Sequence, residues 1–178
     1  MHKRPILHVK RALVAFQSLL NNIVKIERTA SDRIENRFPD SIRVVSSHAF
    51  LDFDDFGDIN KKHGEPFGDV VLLKVIHSLV ASMRPDDVIA RYGGDEIIII
   101  WAQRGKVLGD RLRAMFNTFA ELVFETEEHQ EIGISFSAGV VDKIPAEKIA
   151  DCVKKAADLK NQAKKAGKSR VYVNQPED

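Results

Sequence analysis

The chain has 178 residues, of which 44% are apolar and 30% charged, with a net charge of +1. That is enough apolar residue for one domain with its own core, and the charge balance excludes a general electrostatic attraction to nucleic acid or to a membrane surface. No apolar run approaches the roughly 20 residues that span a bilayer; no signal peptide is visible either, since Met1-His2-Lys3-Arg4 leads into a segment broken by charges, so the cytoplasm is expected.

In chain order, Ile6, Val9, Leu13, Phe16, Leu20, Ile23 and Val24 recur at helical spacing, which predicts a long amphipathic helix over residues 6–38. Pro39-Asp40 closes it. The chain thus divides into a helical segment, 1–39, suited to core packing or to dimerisation and signalling, and a domain, 40–178. Residues 42–53 read as a strand and 57–68 as a polar loop or short helix. A helix follows over 70–83 with Leu72, Val75, Ile76, Leu79 and Met83 inward, and Arg84-Pro85-Asp86 ends it. Residues 88–92 and 97–102 form a hairpin, and four consecutive isoleucines predict that its second strand is buried on both faces. Residues 108–125 read as a helix, 132–141 as a strand, 146–166 as a helix and 171–173 as a final strand. The lone Cys152 has no second cysteine to pair with and is expected to pack in the core. The order β-α-β-β-α-β, with a further helix, predicts an α/β (α+β) ferredoxin-like palm, a mostly antiparallel central sheet flanked by helices.

The tetrapeptide Gly93-Gly94-Asp95-Glu96 separates the runs DVIARY and IIIIWA. Two glycines allow a hairpin turn too tight for side chains, because both readily adopt positive φ. Upstream, Phe50-Leu51-Asp52-Phe53-Asp54-Asp55 ends another apolar strand in carboxylates. If the two strands are neighbours, acids from both meet at one point. Mg²⁺ wants oxygen ligands and takes one or two carboxylates plus phosphate and water, which Asp52 and Asp95 would supply. Asp52 and Asp54 share a strand face, so Phe53 could offer only its backbone carbonyl, and Glu96 could help hold a second ion. Two metals roughly 4 Å apart activate a hydroxyl and neutralise charge at a transferring phosphorus. The plain alternative is that these acids are solvated turn residues.

Taken together, these segments resemble the GGDEF family of diguanylate cyclases over residues 50–172, approximately. The family's first signature appears as DFDDFGDINKKHGEPFGD, its name motif as RYGGDEI preceded by RPDDVIA, its Ser-x-Gly strand as SFSAGVV, and its closing helix end as AKKAGKSRV. The resemblance implies that Asp52 and Asp95 ligate metal, with the Phe53 carbonyl and Glu96 assisting. It implies two Mg²⁺ or Mn²⁺ per active site. It places Asn60 and Asp69 at the guanine edge, whose N1 and N2 donors suit a carboxylate, and Lys164 and Lys168 on the triphosphate. Arg84-x-x-Asp87, nine positions before Gly93, falls in the register of the family's inhibitory product site.

This sequence departs from the family pattern at several positions. Gly57 stands where the family has a phosphate-binding lysine, Glu65 replaces a histidine, Ile97 replaces a phenylalanine, and the family's opening element is only echoed by DRIENRF at 32–38.

The implied function is condensation of two GTP into cyclic di-GMP by a homodimer, with the product as a possible inhibitor. Two other readings stand beside it: a palm cyclase closer to the CRISPR-associated polymerases that makes a cyclic adenylate, and a catalytically silent receptor for nucleotide or cyclic di-GMP. Residues 154–170 hold seven Lys or Arg against the single acid Asp158. They lack the aromatic interleaving that stacks bases, so no nucleic-acid partner is expected.

Overall fold

A computed structural model describes residues 47–84, 87–101, 103–122, 124–125, 131–143 and 149–174. The helix expected over 6–38, and the part of the first strand before Ser47, lie outside them. Strand β1 (Ser47–Phe53) leads into helices α1 (Phe56–His63) and α2 (Glu65–Ala81). A hairpin of β2 (Val88–Gly93) and β3 (Glu96–Trp101) follows, then helix α3 (Gly105–Ala120) and the short pair β4 (Phe124–Glu125) and β5 (Glu131–Ile132). Strand β6 (Phe136–Asp142), helix α4 (Ile149–Lys165) and strand β7 (Val171–Asn174) complete the described domain.

The main sheet has the order β2-β3-β1-β6-β7, with β6 and β7 parallel and the other pairs antiparallel. This is the palm-like arrangement that the element order predicts. Strand β1 is central and buried along its whole length, SHAFLDF. Side-chain alternation divides the two faces. Ala49, Leu51 and Phe53 of β1, with Ile97, Ile99 and Phe136 from its neighbours, pack against Leu72, Val75 and Leu79 of α2 and Leu112 and Phe119 of α3. Each of these fully buried side chains other than Ala49 contributes about 1.5–3 kcal/mol. The opposite face carries a smaller cluster in which Phe50 and Val141 meet Cys152 and Ala156 of α4. Cys152 therefore packs, as expected.

Several boundaries differ from the sequence reading. Helix α2 begins at Glu65, five residues before the expected start, because Pro66 sits in the first turn, where it has no helical N–H bond to lose. The polar stretch before it is helix α1, and only Gly64, at φ 86°, separates the two. In the hairpin the turn is Gly94-Asp95: Gly94 has φ 51°, whereas Gly93 is a strand residue paired with Glu96. Strand β3 is not buried evenly. Ile97, Ile99 and Trp101 are buried while Ile98 and Ile100 are half-covered, because the α4 layer covers that face less completely. The third helix spans Gly105–Ala120, and Phe124–Glu125, expected as its end, pairs instead with Glu131–Ile132. That pairing divides the strand expected over 132–141, which resumes at Phe136.

Candidate active site

Asp52 and Glu96 stand opposite each other on the β1–β3 ladder, and Ser137 of β6 faces Asp52 from the other side. The intervening Phe53, Ile97 and Phe136 point into the core. Asp52, Asp54, Glu96 and Ser137 therefore lie on the α4 side of the sheet. Like charges directly opposed on a sheet repel, and α4 supplies the counter-charge. Lys160 Nζ donates to Asp52 Oδ2 at 3.0 Å and to Glu96 Oε1 at 3.2 Å. Lys164, one turn further on the same helix face, donates to Asp52 Oδ1. Both carboxylate oxygens of Asp52 are thus held by ammonium groups.

Asp95 occupies the hairpin turn beside this pair. Burial raises its carboxyl above the ordinary aspartate value, and the Asp52 charge raises it further. Glu96 adds a smaller push, which a main-chain hydrogen bond and Lys164 oppose. Burial works to lower the pKa of Lys160, but its hydrogen bonds and charge attraction to Asp52 and Glu96 prevail and raise it. Asp52 and Glu96 therefore share one strand end with Asp95 in charge range, and among the described residues no three His, Cys, Asp or Glu side chains are grouped closely enough to hold a metal ion by themselves. Mg²⁺ usually takes only one or two carboxylates from a protein, and positive charge placed there relieves the repulsion that burdens Asp95. Phe53, whose ring is wholly buried, can face the cluster only through its main chain.

A glycine lets α4 reach the acids. A Cβ at Gly139 of β6 would stand 2.1 Å from the Ala156 carbonyl oxygen and 2.6 Å from the Lys160 nitrogen. The helix therefore lies directly on the strand, and the SFSAGVV segment is a docking platform. Its serines hold Asp54. Ser137 Oγ donates to Asp54 Oδ1 at 2.8 Å, Ser135 Oγ donates to Oδ2 at 2.8 Å, and the Ser169 N–H donates to Oδ2 at 2.9 Å. That last bond ties β1 to the turn after α4, where Gly167, Lys168 and Ser169 all have positive φ. Left-handed backbone at the two non-glycine positions costs roughly 1–3 kcal/mol each, so the anchorage on Asp54 keeps that turn in shape. Lys168 donates to Asp55, and that hydrogen bond raises its pKa.

The remaining expected residues are less closely gathered. Asn60 lies on α1, and its Oδ1 is buried without a hydrogen-bond partner. A Cβ at Gly68 would meet that oxygen at 1.7 Å, so Gly68 leaves the room the amide needs. Asp69 follows on α2, inside the helix, and is exposed. At Gly57 a Cβ would have nothing within 4 Å, so a longer side chain has space there. Arg84 and Asp87 form a local turn at the end of α2: the Asp87 carboxylate accepts the Arg84 main-chain N–H at 2.6 Å. The Arg84 guanidinium lies 5.4 Å from the Trp101 ring centre, away from the acid cluster. Sequence reasoning missed Lys160 and the Asp54 anchor. The signal for Lys160 was its i,i+4 relation to Lys164, which puts both on one helix face.

The model of the family described as "Diguanylate cyclase, GGDEF domain" matches residues 20–170. The probable diguanylate cyclase DgcT of Escherichia coli is 31% identical over 130 residues, covering 69% of this chain and 28% of that protein. The diguanylate cyclase VdcA of Vibrio cholerae is 28% identical over 124 residues, covering 68% of this chain and 37% of that one. The chain thus spans well under half the length of these curated relatives. Among solved structures, the GGDEF domain of DgcB from Caulobacter crescentus, in complex with c-di-GMP, superposes with a TM-score of 0.70 at 22% identity, covering 84% of this chain and 85% of that one. The diguanylate cyclase SiaD of Pseudomonas aeruginosa, in complex with its activator SiaC, superposes with a TM-score of 0.75 at 22% identity, covering 96% and 72%. At that identity these two matches establish the fold alone. With a family match over most of its length and carboxylates gathered at the Gly-Gly-Asp-Glu hairpin, the chain belongs to the GGDEF family of diguanylate cyclase domains.

Proposed function

We propose that this domain condenses two molecules of GTP into cyclic di-GMP. Each 3′-hydroxyl attacks the α-phosphorus of the other nucleotide and releases pyrophosphate. The observation that carries this reading is the meeting of Asp52, Asp95 and Glu96 at one sheet end, faced by Lys160 and Lys164, within a chain of this family. A divalent ion, Mg²⁺ or Mn²⁺, bound by Asp52 and Asp95 with Glu96 and the Phe53 carbonyl, would supply Lewis-acid neutralisation at phosphorus.

The chain's own residues do the rest. The unpartnered Asn60 Oδ1 is an acceptor suited to the N–H edge of guanine, and Asp69 follows Gly68, the residue packed against that amide. Lys164 and Lys168 are partly exposed, and hold the triphosphate by exchanging Asp52 and Asp55 for phosphate oxygens. A two-fold symmetric product built from identical half-sites requires two facing copies, so the active form is an isologous homodimer, with the segment at 6–38 as the element that holds it. Arg84, exposed, and Asp87, half-buried, lie away from the acids and are the product-binding pair, and Arg84→Ala should raise the accumulated product. Dependence on GTP places the work in the cytoplasm.

Purified protein, incubated with GTP, ATP and Mg²⁺ and its products separated by chromatography, tests the reading. Cyclic di-GMP from GTP alone is expected, and Asp52→Asn or Asp95→Asn should lower its rate by at least roughly a hundredfold. A product made only from ATP, or full turnover in either variant, would sink it.

A further inference from the structure

Lys160 is not placed like a residue that waits for substrate. Its side chain is 7% exposed, against 29% for Lys164. The backbone behind it is pressed onto β6 at Gly139. Its ammonium lies 5.1 Å from the centre of the Phe50 ring, which packs with Cys152 and Ala156 of α4. In that enclosure it bridges one oxygen of Asp52 and one of Glu96. These oxygens come from two neighbouring strands and are the natural joint ligands of a cation.

We infer that Lys160 is a resident cation that takes the place of one of the two expected metal ions, so that this site binds a single divalent ion per protomer. The inference rests on the reading of these acids as metal ligands. A buried ammonium between two carboxylates satisfies them much as a metal would, and the two compete for the same lone pairs. Lys164 differs, since its exposure lets it leave Asp52 Oδ1, and that oxygen with Asp95 remains for the one ion.

The test needs neither nucleotide nor turnover. Manganese bound to the whole protein is counted by electron paramagnetic resonance at saturation, for the wild type, Lys160→Met and Lys160→Gln. One ion is expected in the wild type and two in each variant. Thermal unfolding provides a second readout: both variants should melt below the wild type in chelator, and manganese should close that gap, which lost packing alone would not allow. A wild-type count other than one, an unchanged count in the variants, or a variant that manganese fails to restore overturns the inference. Failure of cyclic di-GMP synthesis would leave this result standing, so the two claims fail separately.

Discussion

Gly139→Ala tests the geometry on which the site depends, because it adds a single methyl group and alters no acid or lysine side chain. That methyl would stand 2.1 Å from the Ala156 carbonyl oxygen, 2.6 Å from Leu159 Cβ and 2.6 Å from the Lys160 nitrogen. Two of these atoms are backbone and cannot rotate away, so α4 has to withdraw by about 1 Å to reach ordinary contact. Overpacking of this kind costs roughly 1–3 kcal/mol, and backbone contacts place it at the upper end. For a chain of this size, about 3 kcal/mol lowers the melting temperature by roughly 6–12 °C.

The same displacement stretches the Lys160 bonds to Asp52 and Glu96, now 3.0 and 3.2 Å, beyond hydrogen-bonding range. A misplacement of that size costs a catalytic constellation about a hundredfold in rate. Calorimetry and a pyrophosphate-release assay measure the two effects. If Gly139→Ala melts within 2 °C of the wild type, an estimated shift of under about 1 kcal/mol, and turns over GTP normally, α4 is not seated as described.

Two further variants probe neighbouring groups. Asp54→Asn replaces an acceptor of three hydrogen bonds, from Ser135, Ser137 and Ser169, with an amide that cannot accept them all. A loss of about 1.5–3 kcal/mol is expected, read as a shift in the urea midpoint; an unchanged midpoint would remove Asp54 as the anchor of the 167–169 turn. Asp95 has a folded-state pKa raised by burial and by Asp52. Its protonated form therefore favours folding fully below the unfolded aspartate value, and that contribution is lost as pH rises through the folded value. Asp95→Asn should accordingly melt above the wild type at neutral pH, by under about 1 kcal/mol given solvent screening. The gap should close in acid, and a gap that is constant with pH would contradict this electrostatic picture.

Much of the site's framework is local, and therefore legible without coordinates. Gly94 needs a left-handed backbone, the isoleucine run has to be a strand, and the alternation of Asp52, Phe53 and Asp54 sorts the side chains by face wherever β1 is placed. The acid motif and the order of elements follow from such short-range rules. Helix starts were less legible. Pro66 and Gly64 permit both a loop and a helix junction, and packing of α1 against α2 around Gly68 decides between them.

What only the tertiary structure decides is which charges meet. Lys160 lies 108 residues from Asp52 in the chain, and Ser169 lies 115 from Asp54. No periodicity links such positions; they come together because β6 carries a glycine on which α4 can rest. The sequence alone determined that the cluster is built of carboxylates. The burial of Lys160 between two of its carboxylates arises from the crossing of helix and sheet, where removal from water makes a charge seek its counter-charge.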